Sequence, residues 1–172
     1  TDPRIQQIIG AAWYAEELRA FILNGIKYSV YFAFASDDSP FWETKKQTKG
    51  FGFGMVNQTP PHVEWYPYFV NYLIGNNLNV GDNLYNCSSS ISKAVSALAW
   101  RSNSSYNVLL VGKVNATLNV SINIQNASPR NGVITTYRID GSVPKIQINE
   151  ENFTNPVNIV ENGYFVILLQ FS

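Results

Sequence analysis

Residues 11–34 read AAWYAEELRAFILNGIKYSVYFAF: an apolar helix, an Asn-Gly stop and an almost unbroken apolar run. Ile5, Ile9, Ala12, Leu18 and Ile22 recur at helical spacing, and Ile8, Trp13 and Phe21 widen the stripe. Asp2 can cap this helix, Pro3 suits its first position, and Asn24-Gly25 ends it. The stripe is broad enough to predict cover over much of the helix surface. Tyr28–Phe34 lacks polar alternation, which predicts a parallel strand buried on both faces.

Working outward, residues 36–50 (SDDSPFWETKKQTKG) form the most polar segment and predict a long loop. Phe51–Val56 is a short apolar return. Pro60-Pro61 then opens a second helix over residues 62–74, with Val63, Tyr66, Phe69, Val70 and Leu73 inward and Gly75 as its stop. From about residue 78 the period changes to two. Strands are expected at Ser92–Trp100, Tyr106–Val114, Thr117–Ile124, Val133–Arg138, Pro144–Ile148 and Tyr164–Phe171, with Asn, Gly, Ser and Pro between them. Tyr164–Phe171 (YFVILLQF) is nearly all apolar and belongs in the centre of a sheet. The fold class is therefore mixed α+β: two helices with one or two strands over residues 1–77, then an antiparallel β-sandwich over 78–172. The short junction at 76–82 predicts that the two parts pack together.

Charged residues make up 14% of the 172, twelve basic against twelve acidic. That is sparse beside roughly 25% in an average soluble protein. A nucleic-acid partner would need a basic stripe, which the sequence lacks. No apolar run reaches the ~18 residues of a membrane span. Asn-x-Ser/Thr occurs at Asn57, Asn86, Asn103, Asn115, Asn119, Asn126 and Asn152. Seven such acceptors point to an extracellular, N-glycosylated protein. Pro60 and Pro129 directly follow the sequons of Asn57 and Asn126 and weaken those two. Cys87 is the lone cysteine, so no internal disulfide framework exists. Few carboxylates suit an acidic medium, because little charge must be neutralised as pH falls. A thermoacidophile's secreted protein fits that composition.

One histidine, His62, and one cysteine leave no Ser-His-Asp, Cys-His or transition-metal constellation, and no cofactor motif is present. Gly50-Phe-Gly-Phe-Gly54 alternates glycine but lacks a dinucleotide fingerprint. Carboxylates remain: Asp37, Asp38 and Glu43 share the loop after the first apolar run, where they meet a substrate, bind Ca²⁺ or simply solvate the loop. Adjacent groups on one loop make a poor catalytic pair, because catalysis needs held geometry. Trp42, in the same loop, offers a ring on which a sugar face can stack, or else packs in the loop. Trp13, Trp65 and Trp100 fall at positions expected to be core.

Residues 11–25, Tyr28–Phe34, Phe51–Val56 and the helix closing at Gly75 resemble the end of a retaining glycoside hydrolase of the large (β/α)₈ superfamily, the group with catalytic Glu residues after strands four and seven. The resemblance implies helix seven, strand eight, the end of loop eight and helix eight, followed by the family's small C-terminal sandwich. No position here matches the catalytic pair. It implies a carbohydrate substrate, with Trp42, Asp37, Asp38 and Glu43 near it, and an upstream polypeptide that supplies the rest of the barrel. This chain alone is then expected to be inactive. The alternative is a non-enzymatic, glycosylated extracellular structural or surface subunit.

Overall fold

A computed structural model describes residues 3–31, 34–36, 54–57, 60–102, 105–125 and 132–171. After a 3-10 turn at Pro3–Gln6, helix α1 spans Ile8–Leu23. Its end follows from Asn24-Gly25. Gly25 has φ 67, its N–H donates to the Ile22 carbonyl and that of Ile26 donates to Phe21. This is a left-handed glycine cap that closes two orphan carbonyls. The buried face of α1 is narrow and small: Ala11, Ala12, Tyr14 and Ala15. At 3.6 residues per turn Trp13 lies opposite that face. It is 69% exposed, which corrects the expectation that it is core. Trp65 and Trp100 are buried as expected.

Helix α2 spans Tyr66–Asn77, later than expected. The proline that opens it is Pro67, and the helix runs through Gly75. Tyr66, Val70, Leu73 and Ile74 face inward, while Val63 precedes the helix and is exposed.

Two short strands precede the sandwich, β1 (Ala35–Ser36) and β2 (Val56–Asn57), paired in parallel. The remaining strands are β3 (Asn83–Tyr85), β4 (Val95–Ser102), β5 (Ser105–Gly112), β6 (Thr117–Ile122), β7 (Val133–Asp140), β8 (Gln147–Asn152), β9 (Val157–Asn162) and β10 (Phe165–Phe171). Six form one antiparallel sheet in the order β3-β4-β5-β10-β7-β8, and β6 pairs with β9 as a separate ribbon. The strands expected beyond residue 78 are all present with shifted ends, and β3 and β9 add to them.

Three layers result: helices, the six-stranded sheet, and the ribbon. β10 is central, and its alternate residues serve different cores. Val166 and Leu168, with Leu98, Leu109, Val111 and Ile139, meet α1 and α2. Phe165, Ile167, Leu169 and Phe171, with Val108, Leu110 and Ile134, meet Val157 and Ile159 of the ribbon. That double burial explains the missing polar alternation. Gly112 lies directly opposite Phe165, whose ring occupies the space a Cβ would need.

Polar ties fix the helices to the sheet. Trp100 Nε1 donates to the Asn77 carbonyl (2.6 Å), and Ser102 Oγ donates to the same oxygen (2.9 Å). Gln170 Nε2 donates to Asn77 Oδ1 and to Asn107 Oδ1 (3.2 Å each). Glu16 of α1 takes two hydrogen bonds from Arg19 and one from Ser96 on β4. Burial opposes its charge, but these bonds and the charges of Arg19 and Lys113 hold its carboxyl below the ordinary range.

The buried parallel strand expected at Tyr28–Phe34 does not form in the described residues. Residues 26–31 have no regular structure; Tyr28 is 88% exposed and Val30 92%. Only β1, beyond this run, finds a parallel neighbour. The physical reason is plain. A strand apolar on both faces needs flanking strands and covering layers, and within the described chain it has none.

Candidate functional site

The end of β1 is where the sequence placed substrate contacts. Backbone bonds hold its frame: Met55 and Val56 N–H both donate to the Phe34 carbonyl (2.8 and 3.1 Å), and Asn57 N–H donates to the Val63 carbonyl (2.8 Å). Trp65 N–H donates to Met55 (2.8 Å), so β2 is clasped between β1 and the approach to α2. His62, exposed beside it, sets Nδ1 3.2 Å from the Asn57 carbonyl. Phe34 lies edge-on to Tyr68 (6.5 Å), which stacks with Tyr72 (6.2 Å). Behind them Tyr14 and Tyr31 meet edge to face at 4.9 Å. Burial, then the nearness of Tyr31 and Glu17, pushes the Tyr14 hydroxyl up to about 12, so it stays a neutral donor. Trp42, Asp37, Asp38 and Glu43 lie outside the described residues.

Among the described residues no group of three or more His, Cys, Asp or Glu side chains is placed to hold a metal. No helix among them is long and apolar enough to cross a membrane. Cys87 is a solvent-exposed residue, yet partial burial of its thiol, only partly offset by Arg19, raises its pKa and leaves it a weak nucleophile. Of the sequons, Asn86, Asn115, Asn119 and Asn152 are exposed, and Asn57 is half-buried. Asn103 and Asn126 lie outside the described residues.

Sequence reasoning missed one ionisable cluster in the sandwich. Glu161, 5% exposed on β9, meets Arg138 Nη2 at 2.7 Å, out of line for a directed hydrogen bond. Burial raises its pKa; Arg138 opposes and Asp140 adds to the rise. Asp140 itself is held low. Burial works against its charge, but hydrogen bonds from Ser142 and Gln147 and the charge of Arg138 outweigh that. A raised carboxyl favours the folded state while protonated, so its contribution is lost as pH rises above the ordinary 4.5. Depressed carboxyls act oppositely: Glu16 and Asp140 lose their contribution as pH falls below 4.5 and 3.8. Denaturant midpoints should therefore rise from neutral pH toward about 4.5 and fall below it. Glu161→Gln should flatten the upper limb alone. An unchanged upper limb in that variant would contradict the assignment.

No protein-family model matches the chain, and no curated protein does. Solved structures do. A glycoside hydrolase family 30 subfamily 8 xylanase from Clostridium acetobutylicum superposes with TM-score 0.74 at 14% identity, over 96% of this chain and 39% of that one. The catalytic domain of family 30 xylanase C from Talaromyces cellulolyticus gives 0.71 at 12%, over 94% and 35%. A monomeric β-xylosidase from Caulobacter crescentus gives 0.63 at 11%, over 97% and 42%. The chain shares its fold with part of these glycoside hydrolases. It spans about two fifths of their length or less, and at such identity the likeness is one of fold.

Proposed function

We propose that this chain is the C-terminal portion of an extracellular glycoside hydrolase of the retaining (β/α)₈ type, acting on a polysaccharide such as xylan. It completes the barrel with α1, the 26–36 segment, β2 and α2, and it carries the accessory sandwich. The catalytic Glu pair comes from residues upstream of Thr1, in the same chain or a separate polypeptide. The observation that carries this reading is the joint one: 96% of the chain superposes on 39% of a xylanase, and the segment matching a barrel strand by sequence has no strand partner over residues 26–31. Leu23, Ile26, Tyr28, Val30 and Phe34 are all exposed. A run of large apolar side chains along one stretch marks a surface made to be covered. On this reading the tyrosine group around Tyr68, and Trp42, Asp37, Asp38 and Glu43 of the loop that follows β1 in the sequence, border the substrate cleft.

Xylan hydrolysis tests it. The 172-residue chain alone should release no reducing sugar, and the chain joined with its upstream polypeptide should. Turnover by the chain alone, abolished by changing Asp37, Asp38 or Glu43, would overturn the reading.

The sequons extend the proposal to compartment. Asn86, Asn115, Asn119 and Asn152 all present to solvent, as a transferase requires. Enzymatic deglycosylation of native material should lower its intact mass; an unchanged mass removes the claim of glycosylation.

A further inference from the structure

The β6–β9 ribbon is narrower than the sheet it covers. On its β6 side it leaves a groove of about 560 Å³ over β3, β4 and β5, reaching the end of β10. That volume falls in the range of small-molecule sites. Tyr85 and Tyr106 line it, their ring centroids 6.1 Å apart and tilted by 48°. Phe171 closes one end, held edge-on by Phe153 at 5.6 Å. The cross-strand pairing explains the opening. Tyr85 stands opposite Ala99, whose small side chain leaves the floor clear. Tyr106 stands opposite Arg101, whose guanidinium sits 5.2 Å over the ring and fixes it. The polar lining is the amides of Asn86, Asn107, Asn123 and Gln125, with the Cys87 thiol beside them. No carboxylate and no lysine lines the groove among the described residues.

We infer that this groove binds a neutral oligosaccharide chain, as a second carbohydrate site remote from the barrel cleft. The inference rests on the carbohydrate-acting reading above. Tyrosine rings offer flat apolar faces to pyranose C–H groups. Carboxamides donate and accept, as sugar hydroxyls do. Among the described residues no charged side chain lines the groove, which favours a neutral ligand over one whose charge would be desolvated there without compensation. Strand-mounted, mutually braced rings lose little freedom on binding, which favours affinity.

Isothermal titration of the full chain, produced without N-glycans so that Asn86 stays bare, tests this with xylohexaose and cellohexaose as probes. Saturable binding to at least one is expected. Tyr85→Ala and Tyr106→Ala should each weaken it tenfold or more. Tyr106→Phe should keep it, because stacking needs the ring. Val160→Ala, exposed on β9 and outside the groove, should leave it unchanged. Thermal midpoints of all variants separate lost binding from lost folding, with Tyr106→Phe the decisive variant if the alanine changes unfold the chain. No heat with either probe, or binding indifferent to both tyrosines, overturns the inference. So does loss of joining to the upstream polypeptide in the tyrosine variants, which would make the groove a protein seat. The functional reading is tested separately, by xylan hydrolysis with the unsubstituted chain joined to its upstream polypeptide, which none of these variants enters.

Discussion

Leu168→Ala is expected to lower the unfolding free energy by about 2–5 kcal/mol. Leu168 is fully buried on β10, paired with Leu109 of β5 and Tyr137 of β7, and it faces the core shared with α1 and α2. Removing its side chain costs the transfer of the lost methyl groups plus a cavity that two rigid layers cannot close. A domain of ordinary stability has only about 5–15 kcal/mol to lose, so a large shift in urea midpoint should follow. Val160→Ala, at an exposed position on β9, should stay within about 0.5 kcal/mol. A Leu168→Ala change below about 1 kcal/mol would mean that the helices do not cover the sheet as described.

Val30→Asp should separate the isolated chain from the joined one. Val30 is almost wholly exposed, so in the chain alone the change should be neutral, within about 0.5 kcal/mol. Joined to the upstream polypeptide, Val30 is expected to lie between parallel strands. A carboxylate there is buried without a partner, which costs several kcal/mol. Assembly, and xylan hydrolysis with it, should be lost. Val80→Asp, equally exposed but between α2 and the sandwich, should leave both intact. Full hydrolysis with Val30→Asp would place residue 30 outside the barrel wall.

Much of this architecture is legible in the sequence, and the exceptions are physical. β10 reads as central because it has no solvent face, and the structure puts it between β5 and β7. β9 was missed although Val157, Ile159 and Glu161 alternate inward, because the third inward position carries a charge that burial in the sandwich tolerates only beside Arg138. Trp13 was misjudged because a wide apolar stripe does not say which part of it faces this chain's own core. The same excess, on α1 and along residues 23–34, is intelligible as surface reserved for a neighbour. The barrel-side candidates Trp42, Asp37, Asp38 and Glu43 were chosen from position in a loop. The tyrosine groove is not legible in the sequence because its residues sit on five separate strands and meet only through the packing of the sheet and ribbon.

The central claim is that residues 26–31 become a strand only when the upstream polypeptide is present. Hydrogen exchange at the amides of Lys27, Tyr28, Ser29, Val30 and Tyr31 reads this directly, comparing the isolated chain with the joined protein. The account predicts rapid exchange alone, where these amides have no regular structure, and slowing by several orders of magnitude once strands pair on either side. Rapid exchange at these amides in a joined protein that hydrolyses xylan would contradict it.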